Sequence, residues 1–347
     1  MIEPAGAPAD AADRDHTASK LRLGFAGVGW IGRSRLEAIV SDGIADVAAI
    51  ADPALTTTDA LPACCSGATL AGSFAELLSL KLDGIVIATP SALHASQAIA
   101  ALGRGIPVFC QKPLGRNLAE TAAVIDAARA ADRLLGVDLS YRYTTGMQEI
   151  RRHVALGTLG PVTAIEATFH NAYGPDKPWF YCKSDAGGGC LLDLGIHMID
   201  LALWCLDFPK VRRVAGWTDQ LTGSGLDAVE TQASALVVLD PHVSLQLATS
   251  WRMPLGVDAE ISIRFIGEHG SAVFRNVNGS FHQFTAERML RDAAPKTLAE
   301  PPDDWGGRAA TGWARALAVS NRFDASIESL KDVSAILDAI YDSARTQ

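Results

Sequence analysis

The sequence predicts an α/β protein in two parts: a doubly wound parallel sheet, then an α+β unit built on an open, mostly antiparallel sheet. Three observations carry this. Between Leu21 and Asp138, short apolar runs alternate with stretches of helical period, the order produced by parallel strands joined through right-handed crossovers. A glycine-rich turn separates the first run from the first helix. Beyond about Tyr141 the rhythm gives way to period-two runs bounded by turn residues.

Taken in order, residues 1–20 have neither a basic start nor an apolar stretch, so a mobile leader without a secretory signal is expected. Leu21–Ala26 is a strand ending in glycines. Ile31–Val40 is a helix with Ile31, Leu36, Ile39 and Val40 available for one face, and Asp46–Ala51 is a strand closed by Asp52-Pro53. Gly84–Ala88 is continuous and rich in branched residues, as expected for a strand covered on both faces. Ala92–Leu102 and Asn117–Ala131 read as helices, Pro107–Cys110 and Leu134–Asp138 as strands. These define a first domain over 21–140.

The remainder, 141–347, is expected to bind substrate and to associate with other copies. A helix over Gly146–Leu156 leads through Gly157-Thr158-Leu159-Gly160-Pro161 into strands. Val243, Leu245, Leu247, Thr249 and Trp251 share one face; Ser244, Gln246, Ala248 and Ser250 share the other. Ile261, Ile263 and Phe265 repeat the pattern, with turns at Asp240-Pro241 and Gly267–Gly270. Helices cover one face of such a sheet, and the semi-apolar face is expected to meet a second copy. Ala325–Ala344 reads as a closing helix with Ile327, Leu330, Val333, Ile336, Leu337 and Ile340 as its core stripe.

Composition narrows the function classes. The 347 residues include 30 basic and 39 acidic side chains, a net charge of −9, which argues against nucleic acid as partner. With 48% hydrophobic and 20% charged residues the chain is neither disordered nor a coiled coil. No window approaches the ~18 uninterrupted apolar residues of a membrane span. Six cysteines (Cys64, Cys65, Cys110, Cys182, Cys190, Cys205) form no C-x-x-C pair and read as thiols of a reducing compartment, which makes the cytoplasm the expected location.

Gly27-Val28-Gly29-Trp30-Ile31-Gly32 fits G-x-G-x-x-G between the first strand and first helix. The first glycine permits the tight turn, the second lets a pyrophosphate reach the backbone, the third lets helix and strand pack closely, and the helix N-terminus offers free N–H groups. Asp52 follows Gly32 by twenty residues, where a carboxylate can bind a ribose diol. That carboxylate would repel a 2′-phosphate, so NAD is expected over NADP, with Arg33 and Arg35 the nearby cations that could oppose the preference.

Two constellations carry chemistry. Lys112, in Cys110-Gln111-Lys112-Pro113, follows the fourth main strand, where ligands of doubly wound sheets bind, and has the reach to take a hydroxyl proton. In Gly187–Asp200, Asp193 and His197 are spaced i, i+4 with Asp200 three further on, and the three glycines are expected to admit a ligand at the helix entrance. The histidine is read as bonding the reacting oxygen, with Asp193 orienting the site. No third and fourth ligand with suitable spacing is visible, so no metal is expected.

GFAGVGWIG, ATPSALHASQAI (Ala88–Ile99), Gln111-Lys112-Pro113 and AGGGCLLDLGIHMID (Ala186–Asp200) together resemble the glucose–fructose oxidoreductase / inositol dehydrogenase / MocA-type oxidoreductases. The resemblance implies a Rossmann domain followed by an open-sheet domain that forms dimers or tetramers, bound NAD(P), and Lys112, Asp193 and His197 at catalytic positions. It also implies Thr89, Pro90 and His94 around the nicotinamide ribose. Two departures stand out. Gln111 replaces the family's usual glutamate and would accept a ribose hydrogen bond without charge. Trp179-Phe180 replaces a frequent Trp-Arg, leaving Lys183, Arg142 or Arg252 as possible substitute cations.

The activity these readings imply is hydride transfer between a secondary alcohol of a sugar, cyclitol or related polyol and NAD. Lys112 takes the proton, His197 polarises or relays, and Tyr141, Arg142, Trp179 and Lys183 line the substrate. Two alternatives use the same residues: an enzyme that retains its NAD through elimination or internal hydride return, and a dinucleotide-binding regulator without chemistry.

Overall fold

Apolar runs too short for helices become strands buried on both faces. In the computed structural model, which describes residues 20–55, 57, 63–65, 67–219 and 228–346, the first half contains β1 (Leu21–Ala26), α1 (Trp30–Asp42), β2 (Ala45–Ala51), β3 (Thr69–Leu70), α2 (Phe74–Leu77), β4 (Gly84–Ile87), α3 (Ser91–Gly103), β5 (Val108–Cys110), α4 (Leu118–Ala131) and β6 (Leu135–Val137). The strands form one sheet in the order β3-β2-β1-β4-β5-β6, parallel throughout. The order reverses direction at β1 and β4, which opens a crevice beyond their carboxyl ends. Gly43, at φ 78°, ends α1, and the Asn117 side chain caps α4 by accepting from the Glu120 N–H at 2.9 Å. Apart from Lys20, the expected leader lies outside the described residues.

The second half continues with α5 (Thr145–Ala155), β7 (Val162–Asn171), α6 (Lys183–Ala186), α7 (Ile196–Cys205), β8 (Val211–Thr218), β9 (Gln232–Leu239), β10 (Val243–Ser250), β11 (Ala259–Gly267), β12 (Gly270–Asn276), β13 (Phe284–Leu290), β14 (Lys296–Ala299), α8 (Arg308–Val319) and α9 (Leu330–Arg345). Its sheet runs β14-β13-β12-β11-β7-β10-β9-β8; only β7 and β10 pair in parallel. The alternation read from the sequence sets the faces. Val243, Leu245, Leu247 and Trp251 are buried with Ile261, Ile263 and Phe265, whereas Gln246 is exposed. Helices α7 and α9 cover that face, and α9 starts at Leu330 because Ala325–Ser329 forms a tighter 3₁₀ turn.

Helix α8 is absent from the sequence reading, and it crosses the boundary expected at residue 140. Its Ala310, Trp313, Ala314 and Leu317 join Leu23, Phe25, Leu36 and Phe109 in the core beneath the first sheet. Gly84 and Gly136 make room for it: a Cβ on either would come within 2.8 Å of the Trp313 ring. The continuous stretch Lys183–Cys205 is long and apolar enough by composition to cross a membrane, yet 89% of its most apolar window is buried inside the protein. It is the helix that carries Asp193 and His197.

Candidate active site

The glycine turn is built as its sequence requires. Gly27 has φ +81°, and a Cβ there would lie 2.6 Å from the Ala88 carbonyl oxygen; a Cβ on Gly32 would overlap the Gly27 carbonyl. Gly29, in contrast, faces open space, and α1 begins there with no side-chain cap and no acid in its first turn. A 13-residue helix thus points its first-turn N–H groups at the open side of the turn, a setting for an anion. Asp52 borders it, its Oδ2 accepting from the Val28 N–H at 2.7 Å and its Oδ1 from the Ala54 N–H at 2.9 Å. These residues fit a dinucleotide, with pyrophosphate at the helix and a ribose diol at Asp52. Trp30 is 74% exposed at the rim, and Ile31 beside it is half-buried. Buried Arg35 is held by Asp138 at 2.5 Å, whereas Arg33 pairs with Glu37 at 2.8 Å on the exposed side of α1.

Thr89 and Pro90 lead into α3 at the crevice, but His94 is not on its surface. The ring is buried, with Nε2 2.7 Å from the Thr89 carbonyl and Nδ1 2.7 Å from the Pro113 carbonyl. Burial lowers its pKa, against the pull of the two carbonyls. His94 therefore stitches the Thr89 loop to the Lys112-Pro113 loop, where the resemblance implies a pocket wall.

Lys112 reaches from the end of β5 across to the second half. Its Nζ donates to Asp193 Oδ1 at 2.7 Å and to the Asp193 carbonyl at 2.9 Å, while the buried Trp251 indole donates to Oδ2 at 3.0 Å. Asp193 sits in a π-turn, Leu191–Gly195, that widens the helix entrance by one residue ahead of α7. Among the described residues no hydrogen bond joins Asp193 to His197, because the wider turn rotates Asp193 away from the i, i+4 alignment of a regular α-helix and toward Lys112.

His197 is buried with its ring edge-on to Tyr141, centroids 4.9 Å apart, and tilted against Phe169. Burial pushes its pKa well below the ordinary value, and the charges of Lys112 and Arg35 push the same way, so the imidazole is neutral at physiological pH. The ammonium comes from the end of β5 in one half and the neutral imidazole from α7 in the other, and the charge of the first disfavours protonation of the second.

Several expectations need correction. The glycines before the helix seat protein, not ligand: a Cβ on Gly189 would overlap the Glu230 carbonyl, and one on Gly188 the Tyr341 hydroxyl. The buried Glu230 carboxylate accepts from the Gly189 N–H at 3.0 Å, the Leu191 N–H at 2.9 Å and the Tyr341 hydroxyl at 2.9 Å, filling the anion site at this helix entrance. Arg142 is no free substrate cation; it makes a two-pronged pair with Asp200, 2.8 and 2.5 Å. Lys183 is exposed beside Arg116, Asp338 and Tyr341. Trp179 stacks on Phe180, which makes a T-shaped contact with Trp251, the residue whose indole holds Asp193.

Sequence reasoning missed Arg35, Asp138, Glu230 and Trp251 as site builders. Charged residues inside predicted strand ends and core-facing helix positions were the available signal. Among the described residues no three metal-ligating side chains gather.

The family model described as an oxidoreductase family with an NAD-binding Rossmann fold matches residues 21–139, and the GFO/IDH/MocA C-terminal domain model matches 147–273. Inositol 2-dehydrogenase of Cereibacter sphaeroides is 31% identical over 262 residues, 73% of each chain. D-glucoside 3-dehydrogenase of Escherichia coli is 32% identical over 151 residues, so the match spans less than half (43%) of that relative's length. A levoglucosan dehydrogenase solved with NADH and levoglucosan superposes with a TM-score of 0.81 at 21% identity, covering 94% of this chain and 98% of the other, and so shares the fold.

Proposed function

This chain belongs to the GFO/IDH/MocA family of oxidoreductases, and from that premise we propose that it transfers hydride between a secondary alcohol carbon of a sugar, cyclitol or related polyol and NAD. The observation that carries this reading is the Lys112–Asp193 pair that joins the end of β5 to the segment leading into α7, the helix that carries a neutral His197. When bound, the dinucleotide supplies the hydride acceptor or donor. The chain supplies the rest.

A base needs a free lone pair, which a neutral imidazole has and an ammonium lacks. His197 therefore takes the hydroxyl proton during oxidation and returns it during reduction, while Lys112 donates to the same oxygen and stabilises the charge that develops there. This exchanges the two roles that the sequence suggests. Asp193 holds the ammonium in place and is itself held by Trp251. The Tyr141 ring fixes the imidazole edge-on, and Trp179 with Phe180 offers an apolar wall for a sugar face.

Cofactor binding is assigned to Gly27, Gly29, Trp30, Ile31, Gly32, Asp52, Thr89, Pro90, Gln111 and Lys112. NAD is preferred over NADP because Asp52 borders the glycine turn and Arg35 is held by Asp138. The relatives named for D-glucoside and inositol oxidation support the polyol class. A groove of about 750 Å³ on the open face of the second sheet, rimmed by Trp217 and Leu236, is assigned to self-association into a dimer or tetramer. The six free thiols favour a reducing, cytoplasmic setting. Screening glucosides, inositols and free sugars with each cofactor tests the whole reading. Appearance of reduced-nicotinamide absorbance with one polyol class supports it, and silence across the panel with both cofactors refutes it.

A further inference from the structure

We infer that Arg35, Asp138 and Ser140 are positioning residues of the cofactor site, acting through Gln111, and that the carboxamide at 111 and the carboxylate at 138 are an interdependent pair. The inference rests on the dinucleotide reading above. The Asp138 side chain is wholly shielded from solvent, and Arg35, Gln111 and Ser140 donate to it. Oδ2 accepts from Arg35 Nε at 2.5 Å and from the Gln111 amide; Oδ1 accepts from the Ser140 hydroxyl at 2.5 Å, and Arg35 Nη2 closes the ring on Ser140 at 3.0 Å. Backbone bonds brace the same segments, Gln111 N–H to the Ile87 carbonyl at 2.8 Å and Asp138 N–H to the Cys110 carbonyl at 2.9 Å.

One buried carboxylate thereby ties together three segments that frame the crevice: α1 just past the glycine turn, the loop carrying Lys112, and the chain leaving β6. Its charge is matched once, by Arg35. The Gln111 amide nitrogen is spent on Asp138, which leaves the amide oxygen, with no donor among the described residues, as the acceptor offered to a ribose hydroxyl. A glutamate at 111 could not take this place, because it would bring a second anion against Asp138 with no second cation to neutralise it. The negative charge can stand at 111 or at 138, but not at both.

The test is a double-mutant cycle of Gln111→Glu, Asp138→Asn and the pair together. It measures Kd for NAD by quenching of tryptophan fluorescence, Tm, and kcat and KM for NAD. Gln111→Glu should raise Kd and KM for NAD by ~10-fold or more with a smaller change in kcat, and Asp138→Asn should weaken binding similarly by stranding Arg35. The double variant, in which carboxylate and carboxamide trade places, should return to within ~3-fold of the parent, a non-additivity that unconnected sites do not show. If Gln111→Glu yields no folded protein, recovery of folded, NAD-binding protein in the double variant gives the same answer. Single effects that simply multiply, or an unchanged Kd in Gln111→Glu, overturn the inference. A parent chain that binds neither NAD nor NADP overturns the cofactor reading instead, while the Tm cycle still decides whether 111 and 138 are coupled.

Discussion

Replacing Lys112 by methionine removes the ammonium while keeping most of the stem's volume, and the structure sets what each measurement should read. The ammonium meets Asp193 twice, at 2.7 Å on the carboxylate and 2.9 Å on the carbonyl. The two side chains are 19% and 17% exposed. The pair therefore exceeds the ~0–1 kcal/mol of a surface ion pair, yet falls short of the ~3–5 kcal/mol lost on stranding a fully buried charge. Trp251 still donates to the remaining carboxylate. A stability loss of about 1–2 kcal/mol follows, a fall in Tm of a few degrees for a chain of this size. Turnover should fall much further, by ~10²–10³-fold, because the donor facing the developing charge on the substrate oxygen is gone. Absorbance of reduced nicotinamide gives turnover, fluorescence titration with NAD gives cofactor affinity, and heat unfolding gives Tm. A turnover within ~3-fold of the parent, or a loss of NAD affinity as large as the loss of turnover, refutes the assignment of Lys112 to the reacting oxygen.

Four other outcomes follow from the same geometry. Because His197 has its pKa depressed by burial, Lys112 and Arg35, kcat/KM should rise with pH along a limb centred below ~6.5 that vanishes in His197→Asn; a limb centred above pH 7 contradicts a neutral base. The same depression makes its contribution to stability complete above ~6.5 and lost as pH falls toward the folded-state pKa, so acid should unfold the parent more readily than His197→Asn. Asp52→Ser should erode the preference for NAD, read as the ratio of KM for NADP to KM for NAD, and an unchanged ratio separates Asp52 from the ribose. Gly188→Ala should lower Tm, because its Cβ would overlap the Tyr341 hydroxyl that donates to the buried Glu230; a Tm equal to the parent's contradicts this packing.

Five of the six strands of the first sheet were legible, because strands buried on both faces are written as uninterrupted apolar runs and the intervening helices have their own period, whereas the two-residue β3 and the four-residue α2 are too short to show one. The glycine turn was legible because its steric demands are local: Gly27 needs its φ and Gly32 its lack of a Cβ wherever the rest of the chain lies. Helix α8 was not legible. Its small residues and Trp313 find their partners at Gly84 and Gly136, more than 170 positions earlier, and nothing local marks that pairing. The partners of charged side chains were hidden for the same reason. Spacing put Asp193 and His197 on one helical face without showing that Asp193, in its π-turn, pairs with Lys112, and Arg142, read as a possible substrate cation, is claimed by Asp200. Local geometry could be read from the sequence, whereas ion pairing depended on how the elements come together.

Those pairings also bear on what the crevice can accept. Lys112 with Asp193, Arg35 with Asp138, and Arg142 with Asp200 set three cations against three anions around the helix that carries His197, and in each pair the side chains are less than one-fifth exposed. Each charge is answered by protein, so the three pairs leave no net charge for a substrate to neutralise. An anionic substrate would have to separate one of the pairs or enter unpaired, and burying an unpaired charge is costly. A neutral polyol needs only donors and acceptors, and the crevice offers the Lys112 ammonium and the free imidazole of His197. Lys112, Arg35 and Arg142, three cations that an anion-binding site could use, are thus already paired with internal carboxylates, which is the arrangement the proposed neutral polyol requires.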